Sequence, residues 1–135
     1  MTSEILYLGN LRTEAIHVKS SNALITDAPT DNNGKGEAFS PTDLLATSLA
    51  SCMVTVMGIE AEACGYVLKG TKATLTKTMG SGPRRVVKIE VDIILPLYTK
   101  DEKELKRLER IGLNCPVAKS LHPDILQEVS FKYLK

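Results

Sequence analysis

The chain has 135 residues, with 17 Lys and Arg against 16 Asp and Glu, and a formal net charge of +1. That balance leaves no electrostatic footprint for nucleic acid, and four tyrosines with two phenylalanines offer no base-stacking platform. The length fits a single domain over 1–135. Three cysteines and no signal-peptide pattern at Met1-Thr2-Ser3-Glu4 argue against a secreted disulfide scaffold, which leaves the cytoplasm as the expected location.

The first elements read as two short strands, Glu4 to Leu8 and Arg12 to Lys19, around Gly9-Asn10. Ser20-Ser21-Asn22 is a turn, because these side chains hydrogen-bond to their own backbone. A third strand, Ala23 to Thr26, follows. Asp27 to Phe39 holds Pro29, Asn32, Asn33, Gly34 and Gly36, a polar, breaker-rich loop and a candidate lid. Ser40 then caps a long helix, with Pro41 in its first position and Asp43 in its first turn, and Gly65 ends it. Thr47, Ser48, Ser51, Thr55, Glu60 and Glu62 interrupt this apolar run, so it reads as a buried helix and no membrane partner is expected.

Leu68 to Lys77 and Arg84 to Leu95 flank the turn Met79 to Pro83. In the second of these strands Val87, Ile89, Val91 and Ile93 alternate with Lys88, Glu90 and Asp92, the pattern of a half-buried strand in an antiparallel hairpin. A charged helix from Lys100 turns Leu105, Leu108 and Ile111 inward. A turn at Cys115, a short helix to Leu121 and a strand from Ile125 to Tyr133 complete the chain. The order predicts an α+β domain in which helices cover one face of an antiparallel sheet. The long helix carries Leu44, Leu45, Leu49, Met53, Val54, Val56, Met57 and Ile59 around most of its circumference, more apolar surface than one sheet covers. A second copy of the chain is the simplest cover for the rest.

Two cysteines occupy settings suited to thiol chemistry. Cys52 lies within the long helix, and Cys115 follows Gly112-Leu113-Asn114 and precedes Pro116, at the start of a helix. A cysteine there meets unpaired backbone N–H groups and the positive end of the helix dipole, both of which favour thiolate. The alternative is that both are small buried hydrophobes, as free cysteine often is. Cys64, about 120° around the helix axis from Cys52, reads as structural. His17 and His122 with three scattered cysteines show no metal-ligand spacing. Gly80-Ser81-Gly82 joins two strands, a hairpin turn and not a phosphate loop.

SPTDLLATSLASCMVTVMG around Cys52 and NCPVAKSL around Cys115, in this order within this element pattern, resemble the two cysteine signatures of the OsmC/Ohr family of osmotically inducible and organic hydroperoxide resistance proteins. The similarity runs over essentially the whole chain. It implies an OsmC-like fold, an intertwined homodimer with sites at the subunit interface, and cysteine-based reduction of organic hydroperoxides with no metal or bound organic cofactor. On this resemblance Cys52 attacks the peroxide and becomes a sulfenic acid, Cys115 condenses with it, and an external dithiol reduces the disulfide.

The family also implies an arginine and a glutamate near the reactive cysteine, since a thiolate in an apolar pocket needs a cation or donors to stay ionised. Arg12 is the candidate cation, with a solvent-facing strand residue as the alternative reading. The glutamate is missing: family peroxidases read Asn-Pro-Glu where this chain has Ser40-Pro41-Thr42. Asp43 is about 100° further around the helix and suits its N-terminus better, while Glu37 in the loop is a possible substitute. This departure points to a divergent OsmC-like branch. It raises an alternative function, an OsmC-like dimer with weak or no peroxidase activity that binds a small hydrophobic or electrophilic ligand at its interface.

Overall fold

The computed structural model describes all of residues 1–135, which form two compact units, 1–45 and 46–135. The first unit is a three-stranded antiparallel sheet in the order β1 (Ser3–Gly9), β2 (Arg12–His17), β3 (Ala23–Asp27). The turn between β1 and β2 places Asn10 and Leu11 at φ 53° and 63°, a left-handed conformation that asparagine tolerates better than most residues. The loop after β3 contains a single 3-10 turn, Thr30–Asn32, and closes on itself through Gly34 N–H to Pro29 O and Gly36 N–H to Ala28 O. A Cβ at Gly34 would overlap the Ala28 carbonyl, so the turn requires glycine there.

The helix α1 (Pro41–Ala63) starts in the first unit and continues through the second. Its start is a reciprocal cap: Asp43 N–H donates to Ser40 Oγ at 3.0 Å, and the Asp43 carboxylate accepts the Ser40 N–H at 2.9 Å. Asp43 therefore serves the helix terminus, as its position suggested. By length and composition α1 also meets the requirements of a membrane span. Within the chain it buries Ala46, Leu49, Ala50, Met53, Met57 and Ala61, one stripe at three- and four-residue spacing, and leaves Ile59 64% exposed.

The second unit adds β4 (Lys72–Gly80), β5 (Arg85–Pro96), α2 (Glu102–Leu113), α3 (Pro116–Ser120) and β6 (Leu126–Leu134). Its sheet order is β4-β5-β6, with β4 antiparallel and β6 parallel to β5. The expectation of one antiparallel sheet is corrected here. There are two sheets, and the second is mixed, because residues 97–125 form a helical crossover long enough to bring β6 back in the same direction as β5. The inward face of β5 also differs near its start. A register shift after Thr78 puts Val86 inside in place of Val87, after which Ile89, Val91, Ile93 and Leu95 alternate into the core as expected.

Tyr133 Oη donates to Glu109 at 2.8 Å and Arg107 pairs with Glu60 at 2.6 Å, tying α2 to β6 and to α1. Of the three residues expected to face inward on α2, Leu108 is fully buried, whereas Leu105 and Ile111 are half-buried.

Candidate active site

The second unit brings Cys52 and Cys115 together. Gly112, buried at the last turn of α2, packs closely on α1: a Cβ there would stand 2.7 Å from Met57 Sδ, so the buried Met57 side chain would have to shift. Three residues later Cys115 caps α3, its backbone N–H bonded to the Gly112 carbonyl at 3.2 Å. Its Sγ accepts the Ala118 N–H at 3.4 Å. Cys115 is 1% exposed and belongs to the core cluster, against which the half-buried Cys52 packs from α1.

The electrostatics of Cys115 are opposite to what its helix-start position suggested. Burial pushes its thiol up, the Ala118 and Val117 N–H groups pull it partly back, and donation to Cys52 together with the charge of that group pushes it up again. Desolvation wins because α3 has only five residues and the thiol is almost wholly out of water. Cys115 is thus held as a neutral thiol. Its thiol is also the sole titratable side chain among the buried residues of this unit, all others being apolar residues or glycine.

The first unit holds the other predicted site residue. Arg12 Nε and Nη2 meet the two carboxylate oxygens of Asp27 at 2.7 and 2.9 Å, and Nη2 lies 3.6 Å from Glu37. Asp27 is 1% exposed and also accepts the Glu37 backbone N–H at 3.1 Å, so it fastens the loop as well as the guanidinium. Sequence reading placed Asp27 at the start of a loop and missed this role. The signal was available in the hairpin register, since pairing β2 with β3 across Ser20-Ser21-Asn22 sets Arg12 opposite Asp27. Arg12 keeps its proton more firmly than usual and Asp27 is held below the usual carboxylate range, in each case chiefly through their mutual hydrogen bonds.

Thr42 hydroxyl lies 3.2 Å from Ser40 Oγ, within the helix start. Cys64, expected to be structural, is exposed, its thiol 3.9 Å from Glu60 beside a cavity of about 20 Å³ that Tyr98 and Arg107 also line. His17 bonds to Ser20 at 2.6 Å in its turn.

This two-thiol core on an α+β frame defines a class of small cysteine-bearing proteins, and the sequence matches the family described as OsmC-like protein over residues 34–130. The chain belongs to the OsmC/Ohr family. A crystal structure from Psychrobacter arcticus 273-4, provisionally described as an osmotic stress induced and detoxification response protein, shares 53% identity, with a TM-score of 0.92 over 97% of this chain and 95% of that one. An organic hydroperoxide resistance protein OsmC from Legionella pneumophila shares the fold at 17% identity, TM-score 0.71, over 98% and 97% of the two chains. An organic hydroperoxide resistance protein from Elizabethkingia anophelis, solved with thiocyanate bound, does so at 14% identity and TM-score 0.76, over 99% and 97%. No curated protein matches this chain.

Proposed function

We propose that this protein is a thiol-dependent peroxidase that reduces organic hydroperoxides through a Cys52–Cys115 disulfide cycle. It acts as a cytoplasmic homodimer, with an external dithiol as reductant and with no bound metal or organic cofactor. The observation that carries this reading is the placement of both thiols in one core, with half-buried Cys52 packed against the cluster that contains the buried Cys115. Two sulfurs so placed can join once one of them is oxidised, whereas two structural cysteines have no need to meet.

In the first step the Cys52 thiolate attacks the distal peroxide oxygen, the O–O bond breaks, and the alcohol departs with a proton while Cys52 becomes a sulfenic acid. Cys115 sulfur then displaces the sulfenic hydroxyl as water and forms the disulfide, which an external dithiol returns to two thiols by exchange. Arg12 is the proposed cation for the thiolate, its guanidinium plane oriented by Asp27.

One equivalent of an organic hydroperoxide is expected to consume two thiols per chain and to yield a Cys52–Cys115 disulfide in peptide mass mapping. Cys52→Ser abolishes peroxide consumption, and Cys115→Ser stops after one turnover with a trapped sulfenic acid. Full activity in Cys52→Ser would refute the assignment. Thr42 in place of the family glutamate favours a second reading, a ligand-binding dimer with weak or no turnover. That reading predicts no disulfide under these conditions and instead a covalent adduct of Cys52 with an electrophile such as N-ethylmaleimide that excludes small apolar ligands.

A further inference from the structure

Resting on the reading of Arg12 as the cation for the Cys52 thiolate, we propose that Asp27 is the positioning residue of this active site: its buried carboxylate sets the direction in which Arg12 presents its remaining donors. Three acids of the first unit are candidates for that task, and the geometry separates them. Asp43 accepts the Ser40 N–H at 2.9 Å and belongs to the helix start. Glu37 lies 3.6 Å from Arg12 Nη2, beyond hydrogen-bond range, with 64% of its side chain exposed, so its hold on the guanidinium is loose. Asp27 is buried, and its two oxygens meet Nε and Nη2 at 2.7 and 2.9 Å, a two-point grip that fixes the guanidinium plane. Position 42 carries a threonine hydroxyl and no carboxylate, and the acid comes from the end of β3. The chain ties these two places together, because the Asp27 N–H donates at 3.0 Å to the carbonyl of Phe39, three residues ahead of Thr42.

A grip on Nε and Nη2 leaves Nη1 engaged by neither Asp27 nor Glu37, and 33% of the Arg12 side chain is open to solvent. The two Nη1 N–H groups are therefore the donors left for an anion. Hydrogen bonds weaken steeply as their angle closes, so the aim of Nη1 decides how much a sulfur or a peroxide oxygen gains from the guanidinium. Pairing with Asp27 reduces the net charge beside the thiolate and supplies direction in its place. The same carboxylate accepts the Glu37 backbone N–H at 3.1 Å, so one group sets both the guanidinium and the loop.

Charge and aim make opposite predictions for one substitution, which separates positioning from the alternatives. Asp27→Asn removes a negative charge beside Arg12. By charge alone this favours the Cys52 thiolate and quickens its alkylation at neutral pH; by loss of aim it disfavours the thiolate and slows alkylation. A purely structural Asp27 would lower stability and leave the Cys52 profile where it was.

Iodoacetamide alkylation of Cys52 is followed against pH in wild type, Asp27→Asn, Arg12→Met and the double variant, each checked for folding by circular dichroism. Asp27→Asn is expected to slow alkylation several-fold at neutral pH, with recovery at alkaline pH. In the Arg12→Met background it is expected to add nothing, since a residue that acts through Arg12 has no effect once Arg12 is gone. Faster alkylation or an unchanged profile in Asp27→Asn, or a full additional slowing in the double variant, overturns the proposal. Should Asp27→Asn fail to fold, Arg12→Lys carries the test, because it keeps the charge but an ammonium cannot be gripped at two points in a plane. Arg12→Lys is then expected to match Arg12→Met, and a wild-type profile would show that charge suffices and overturn the proposal. An unchanged profile in Arg12→Met removes Arg12 and Asp27 from the site together. The cysteine cycle stands or falls separately, on the Cys52–Cys115 disulfide that wild type forms with an organic hydroperoxide.

Discussion

Arg12 and Asp27 stand directly opposite each other in the β2–β3 register and close a two-point ion pair, 2.7 and 2.9 Å, with the carboxylate almost wholly out of water. The same carboxylate holds the backbone of Glu37, so one buried acid fixes a strand, a guanidinium and a ten-residue loop crossing. Removing its charge strands the arginine and releases the loop together.

The acid side of the stability profile follows from this pair. Asp27 has a folded value below its unfolded one, so the folded state binds fewer protons there. The pair's contribution is therefore present above the ordinary carboxylate range and is lost as pH falls through the lowered folded value. Asp27→Asn is expected to lower stability at neutral pH and to flatten the decline between about pH 4 and the acid limit. Urea denaturation across pH measures this, and a profile parallel to wild type would assign the acid dependence to other carboxylates.

Arg12→Met keeps much of the side chain's bulk and removes its charge. If Arg12 supports the Cys52 thiolate, iodoacetamide alkylation of Cys52 is expected to slow several-fold at neutral pH and recover at alkaline pH. An unchanged pH profile moves the role to another cation, with Lys35 the next to test.

Alkylation also separates the two thiols. Burial and donation to Cys52 raise the Cys115 thiol, so Cys115 is expected to remain unmodified at neutral pH while Cys52 reacts, and to gain reactivity only above the ordinary thiol range. Site-resolved mass spectrometry against pH checks the order. Faster labelling of Cys115 than of Cys52 at neutral pH would contradict it.

Gly34→Ala puts a methyl group into the Ala28 carbonyl, and backbone there cannot yield as a side-chain tip can. The expected cost is about 1–3 kcal/mol or somewhat more, the range for overpacking at a tight site. Denaturant titration reads the loss. A variant as stable as wild type would mean that the 28–36 turn rearranges freely.

Exposed Ile5, Leu6, Tyr7 and Ile59 give the single chain apolar surface on β1 and on α1. Such surface commonly marks an interface, and obligate interfaces bury roughly 2,000 Å² or more. Light scattering is expected to give twice the chain mass at micromolar concentration, with an unfolding midpoint that rises as protein is added. A compact monomer with a concentration-independent midpoint would remove the homodimer.

Features governed by neighbours along the chain were legible in the sequence. Ser40, Pro41 and Asp43 set the start of α1 because a helix cap is a contact over three residues, and the observed reciprocal bonds are that contact. The alternation of Ile89, Val91 and Ile93 set the inner face of β5 by the two-residue period of a strand. The motifs around Cys52 and Cys115 singled out two thiols that the second unit places in one core. Tertiary structure decided what depends on residues remote in sequence. The direction of β6 follows from a helical crossover whose path no local pattern encodes, and the inward turn of Val86 follows from a shift in pairing with β4. Whether Cys115 holds or loses its proton depended on the balance between a short helix and burial. A helix start is visible in sequence, but removal from water is created only when α1, α2 and the sheet close around the thiol, and desolvation proved the larger effect.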